Sequence, residues 1–255
     1  MRKTSGLAGA RALGAVLAVC QLSAVAVAQE GDGPDLVTSL RDCEQTDSAP
    51  LVVRACTALL NTKLEPAERV RVLFLRATGW MKEDEFEAAA QDYGAILEAD
   101  KGNVKALEGR GKANQKGGHF IDAAADWTAL IAIDATNEAY FRHRGEANLG
   151  AREYQQALDD FEKSIEIKRD AMQSYIGRAK VYSALGNIEQ SKREFERGIA
   201  VNDRYIPLFW TRGEMAYEWG DKDLAIASYR RVLALNGVYE DARRRLQRLG
   251  IMHPP

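Results

Sequence analysis

The chain has 255 residues, 46% of them hydrophobic and 28% charged, and a formal net charge of −2 at pH 7. It is apolar enough to bury a core. It lacks the basic excess that nucleic acids and anionic membrane surfaces demand, so neither is expected as a partner.

Met1-Arg2-Lys3 is a basic head, an apolar run extends from about Leu13 to Val27, and Ala26-Val27-Ala28 stands before Gln29 as a small-x-small cleavage site. These are the parts of a secretory signal peptide, so residues 1–28 are expected to be removed and the protein exported, to a periplasm or beyond the cell. The apolar run is short for a membrane span, and no stop-transfer pattern follows it. Cys20 follows Leu17-Ala18-Val19 as a lipid-modified cysteine would, but Val19 fills a place normally held by Gly, Ala or Ser. Membrane contact is expected only if Cys20 carries lipid. Loss of Arg2, Lys3 and Arg11 with the signal takes the net charge from −2 to −5.

Residues 29–69 predict two helices, Leu36–Glu44 and Pro50–Leu60, ahead of the main body of the chain. Cys43 and Cys56 lie in them. In an oxidising compartment a disulfide is expected between the two, with free buried thiols as the alternative. No metal site is expected, because two cysteines without a nearby histidine cannot complete a tetrahedral shell.

From residue 70 the chain repeats itself every thirty-four residues. Ala77, Gly111, Gly145, Ala179 and Gly213 share one position of the period; Ala89, Ala123, Ala157, Ser191 and Ala225 share another, twelve residues on. Tyr93, Trp127, Phe161, Phe195 and Tyr229 follow four residues later. Small, small, aromatic at fixed spacing marks stacked helix pairs, in which small residues allow close approach and the aromatic fills the gap to the next pair. Turn residues recur too: Lys82-Glu83-Asp84, Gly117-Gly118, Gly150-Ala151, Gly186-Asn187 and Gly220-Asp221.

This pattern resembles the tetratricopeptide repeat family over residues 70–239, with units 70–103, 104–137, 138–171, 172–205 and 206–239. The resemblance implies an all-α fold: a right-handed α-solenoid of antiparallel helix pairs, helix A then helix B in each unit. The proline common after helix B is missing here; Lys101, Ala135, Arg169, Asp203 and Gly237 occupy its place. The inter-unit turns must then rely on Asp, Asn and Gly. Extended one unit back, the grid puts Cys43 in the small slot of a helix A and Ala55, beside Cys56, in that of a helix B, where the pair approaches most closely. Residues 29–69 thus read as a degenerate N-terminal cap, stapled by the disulfide. Residues 240–255 read as a capping helix and tail, with Arg243, Arg244, Arg245 and Arg248 on its solvated faces.

One polar series keeps the same step. Arg76, Arg110, Arg144 and Arg178 precede the small slot of helix A; Asp92, Asp126, Asp160 and Glu194 precede the aromatic of helix B. In an antiparallel pair each arginine can face the acid of its own unit, as a structural ladder of ion pairs. The fifth unit has Arg212 but Ser228 in the acid slot, so Arg212 is expected to lack a partner acid.

In the family resembled, helix A lines the concave face and its varied residues choose the partner. Here that face would carry Arg71, Phe74, Lys82, Lys105, Lys112 and Lys116 at one end, then Arg142 and Lys180. Trp210, Glu214, Tyr217 and Glu218 would make the other end acidic and aromatic, with Trp210 off the core slots filled by Trp80 and Trp127. An extended peptide could lie along it, its charge fixing polarity. The Lys-and-Asn clamp of one subfamily is not matched by Phe74, Thr78 and Glu108.

His119, His143 and His253 have no catalytic or metal spacing, and no phosphate-binding glycine loop occurs, so no catalytic residue and no cofactor is expected. Two roles fit. One is an exported non-catalytic scaffold that binds a protein or extended peptide rather than a small molecule. The other is a structural subunit of an envelope assembly or a self-associating array.

Overall fold

The computed structural model describes residues 39, 42–44 and 48–251. The expected signal peptide, Cys20 and the tail 252–255 lie outside the described residues, as does most of the predicted helix Leu36–Glu44. Among the described residues every regular element is a helix. Helical residues 39 and 42–44 precede α1 (Ala49–Leu60). Five pairs follow: α2 (Pro66–Lys82) with α3 (Phe86–Ala99), α4 (Val104–Lys116) with α5 (Phe120–Ile133), α6 (Glu138–Gly150) with α7 (Tyr154–Ile167), α8 (Met172–Ala184) with α9 (Ile188–Val201), and α10 (Ile206–Glu218) with α11 (Lys222–Leu235). A single helix, α12 (Glu240–Arg248), ends the series. Each helix packs chiefly on its neighbours in sequence, as a solenoid requires.

The helix ends follow from short polar residues. Glu65 and Glu68 form a capping box around Pro66 at the start of α2. Asn103, Asn137, Asn187 and Asp221 accept backbone N–H groups at the starts of α4, α6, α9 and α11. After helix B the missing proline is replaced by Asx turns, in which Asp100, Asp134, Asn202 and Asn236 accept the N–H two residues on. Within the pairs, one turn residue per unit has positive φ: Asp84, Gly118, Arg152, Gly186 and Gly220. In the third unit this corrects the expected turn at Gly150-Ala151. Gly150 ends α6 against Phe120, whose ring leaves no room for a Cβ, and the left-handed residue is Arg152.

The core is the repeated triplet. The slots Ala77, Ala89, Ala123, Ala157, Ala179, Ser191 and Ala225 are fully buried, as are Phe161, Phe195 and Tyr229. A Cβ on Gly111 or Gly145 would sit 3.0 Å from the aromatic of its own unit, Trp127 or Phe161. One on Gly109 or Gly177 would collide with the aromatic of the preceding unit, Tyr93 or Phe161. Each such ring is clamped between its own helix A and the next one, which makes neighbouring units interdependent. At the N-terminal end Cys43 and Cys56 are both buried beside Val52, Leu59 and Val72, with Cα atoms 5.1 Å apart, inside the range a disulfide spans.

Candidate partner-binding face

The arginines of the ladder hold helix A to helix B. Arg76, Arg110 and Arg144 each direct Nε and one terminal nitrogen at the carboxylate of Asp92, Asp126 or Asp160, with shortest contacts of 2.6, 2.7 and 2.6 Å. Asn148 also donates to Asp160, at 2.9 Å. In the fourth unit the longer Glu194 receives a single hydrogen bond from Arg178, at 3.2 Å, and a second from Arg197 on the same oxygen. The fifth unit corrects the expectation for Arg212. It donates to Ser228 at 3.0 Å and finds an acid after all, Glu196 of the preceding helix B, at 2.6 Å. Burial pushes the Arg212 guanidinium down in pKa, against the pull of Glu196. Burial likewise raises the Asp126 and Asp160 carboxyls despite their arginines. The ladder therefore fixes geometry more than it adds stability.

These pairs are internal, so a partner meets the other side of helix A. Arg71, Lys82, Lys105, Lys112, Lys116, Lys180 and Glu218 are all exposed there. Arg71 reaches Glu44 at 3.1 Å, Lys112 lies 3.6 Å from Glu108, and Lys116 covers the Phe86 ring. The first two units thus present a basic strip in which only Lys112 has a close acid on its own helix.

The opposite end differs from expectation. Trp210 is not a free aromatic: it packs on Tyr229 and Tyr239, with ring centroids 5.6 and 5.3 Å away. Phe74, at the equivalent position, is partly buried edge-on to Tyr93. At the same position of the second unit, Glu108 accepts from Tyr140 Oη of the next unit, at 3.1 Å. Glu214 is engaged within the protein, accepting from Tyr229 Oη at 2.6 Å and pairing with Arg245 of α12. Tyr217, 46% exposed and beneath the Arg245 guanidinium, is the aromatic left on the surface. Of the two acids at this end, Glu214 is paired within the protein and Glu218 stays exposed beside Tyr217.

In the middle a cluster joins Arg142 to Glu146, His143 and Gln115. Glu146 accepts from Arg142 at 2.9 Å, from His143 at 3.1 Å and from Gln115 of the preceding helix A at 3.3 Å. The His143 ring stacks on Trp127, 4.6 Å away. Burial raises the Glu146 carboxyl, but the His143 hydrogen bond and the Arg142 charge outweigh it and bring its pKa to about 2. The i,i+3 and i,i+4 spacings could have revealed two of these contacts. Gln115 could not be found from one helix. Among the described residues no group of His, Cys, Asp and Glu is arranged to hold a metal ion.

The tetratricopeptide repeat family model matches residues 173–205 and 206–239. No curated protein matches the chain. Solved structures do. A tetratricopeptide repeat protein from Parabacteroides merdae superposes with a TM-score of 0.64 at 18% identity, over 85% of this chain and 88% of its own. TTC0263 of Thermus thermophilus, a thermophilic TPR protein, gives 0.57 at 17% identity, over 72% and 100%. A crystal structure of MamA gives 0.52 at 22% identity, over 66% and 96%. At these identities the likeness is one of fold.

Proposed function

We propose that this chain, two of whose units match the tetratricopeptide repeat family model, is an exported, non-catalytic scaffold that binds an extended segment of another exported protein along its helix A face. The observation that carries this reading is the basic strip of Arg71, Lys82, Lys105, Lys112 and Lys116, exposed on consecutive helices A outside the arginine ladder, with Arg71 reaching Glu44 and Lys112 near Glu108. An acidic stretch of the partner would lie on it. The less polar remainder would run toward Tyr217. Rim charges of this kind set on-rate and salt dependence, while an aromatic anchor supplies contact area.

The test is retrieval from an envelope extract with the purified mature chain. Lys105→Glu/Lys112→Glu/Lys116→Glu should lose the partner, most clearly at low salt where screening is weakest. Tyr217→Ala should weaken capture without unfolding the chain. Trp210→Ala is a poor probe of binding, because it removes part of the last unit's packing. Retrieval of the same proteins at the same yield by the triple variant would refute the assignment of this face.

Export rests on the sequence of residues 1–28, and the cysteines agree with it. The buried, adjacent Cys43 and Cys56 suit a disulfide made in an oxidising compartment. Thiol labelling of the unreduced, unfolded mature protein should find no free thiol, and two labels per chain would contradict this. A second reading has one observation in its favour. The large apolar side chains exposed on the paired helices include Ile121 and Ile133, both on the helix B α5, whereas Tyr217 is the one on a helix A. That exposure suits a further contact on the helix B side.

A further inference from the structure

Three of the five ladder arginines have their last nitrogen filled from the preceding helix, and two do not. Arg76 Nη1 donates to Thr57 of α1 and Arg144 Nη1 to Thr128 of α5, each at 3.2 Å. Arg212 Nη1 donates to Glu196 of α9, at 2.6 Å. Thr128 and Glu196 share one position of the thirty-four-residue period, and for Arg110 that position holds Gly94. A Cβ on Gly94 would lie 3.8 Å from Arg110 Nη1, so the nitrogen faces the space where a side chain is missing. That space belongs to a groove of about 690 Å³ between α3 and α5. Two repeats on, Arg178 lines a smaller groove of about 330 Å³ at the equivalent place. For Arg178 the same position holds Glu162, which is exposed and makes no bond to it, so Arg110 is the ladder arginine at which the side chain itself is missing.

We propose that the α3–α5 groove is a second docking site, on the helix B side, for a partner-protein segment that puts an uncharged hydrogen-bond acceptor on Arg110 Nη1 between aliphatic side chains. The sister units define the acceptor. Where the arginine already has an aspartate, as in the units of Arg76 and Arg144, the added partner is a threonine hydroxyl. Where the unit's own acid is missing, as for Arg212, it is a carboxylate. Arg110 has Asp126, so a neutral hydroxyl or carbonyl completes it without crowding two carboxylates on one guanidinium. The wall explains the aliphatic flank. Ile121, Ala125, Ala129 and Ile133 step along α5 at i,i+4 spacing; the two alanines line the groove, and the isoleucines at either end are 77% and 53% exposed. Small residues on both walls, Gly94 and Ala95 facing Ala125 and Ala129, let a main chain come close. This site does not depend on the helix A reading.

The test uses a phage-displayed random peptide library panned on the purified full chain. Each selected peptide is then measured by calorimetry against wild type, Gly94→Thr, Ala125→Gln and the helix A variant Lys112→Glu. Gly94→Thr supplies from within the hydroxyl that Thr128 supplies to Arg144. It should fold at least as well as wild type, since it removes a glycine from a helix interior. The expected result is a class of peptides with Ser, Thr, Asn or Gln between aliphatic residues. Their affinity should fall about tenfold or more in Gly94→Thr and drop also in Ala125→Gln, but not in Lys112→Glu. If no selected peptide distinguishes Gly94→Thr from wild type, or if those that do require an Asp or Glu at the central position, the proposal is overturned.

Discussion

At the scale of single residues, the ladder shows why equal-looking arginines have unequal weight. Arg144→Leu would strand Asp160, which is buried and keeps only Asn148 as a strong donor. We expect a loss of about 3 kcal/mol in denaturant melts, the usual cost of a buried charge left unpaired. Arg212→Leu should cost about 1 kcal/mol, because Ser228 retains its bond to the Leu224 carbonyl and Glu196 is exposed to water. Equal losses would mean that pairing with the unit's own acid is not what matters. Acid sensitivity belongs to a different carboxylate. Glu146 has its pKa lowered from 4.5 to about 2, so its ionised form is favoured by folding. Its contribution is present above pH 4.5 and is lost as the pH falls toward 2. Glu146→Gln should therefore lower the melting temperature at pH 7, and the gap to wild type should close between pH 4.5 and 2. Asp126 and Asp160 are shifted the other way and cannot account for acid unfolding. A gap that stays constant over that range would contradict the assignment.

At the scale of elements, the clamped rings predict that damage spreads between neighbours. Phe161→Ala empties a fully buried site that touches Gly145 of its own unit and Gly177 of the next, so a loss of roughly 3–5 kcal/mol is expected. Hydrogen exchange should quicken in both α7 and α8. Protection lost in α7 alone would show that the ring does not couple units. Much of this was legible in the sequence, because packing within and between identical units must repeat with the chain period. The small slots and the aromatic wedge keep that period throughout, the arginine keeps its own unit's acid in the first four units, and the Asx turn recurs in every unit but the third, where Lys168 stands in its place. What stayed hidden lies where the period breaks. Trp210 reads as free from its own helix, yet Tyr239 at the start of α12 covers it. Glu214 is paired with Arg245 on the same capping helix. Glu196 answers Arg212 from the preceding unit, where no sequence neighbour of either residue announces it.

At the scale of the whole molecule, the repeats spend their strongest charges on themselves. Ladder arginines and their acids are internal, and the arginines of α12 answer Glu240, Asp241 and Glu214. What helices A present outside the ladder is the basic strip of the first two units, then Lys180 and, far along the chain, Tyr217 and Glu218. Such a surface suits a long ligand held at several weak points. The most direct measurement is site-specific photocrosslinking in intact cells, with a photoreactive residue at Thr78, Lys112 or Lys180 on helices A and at Lys163 or Arg230 on helices B, all exposed positions. The account predicts one discrete adduct shared by the helix A positions and missing from these two helix B positions. No adduct from any helix A position, or the same adduct at equal yield from Lys163 and Arg230, would contradict it.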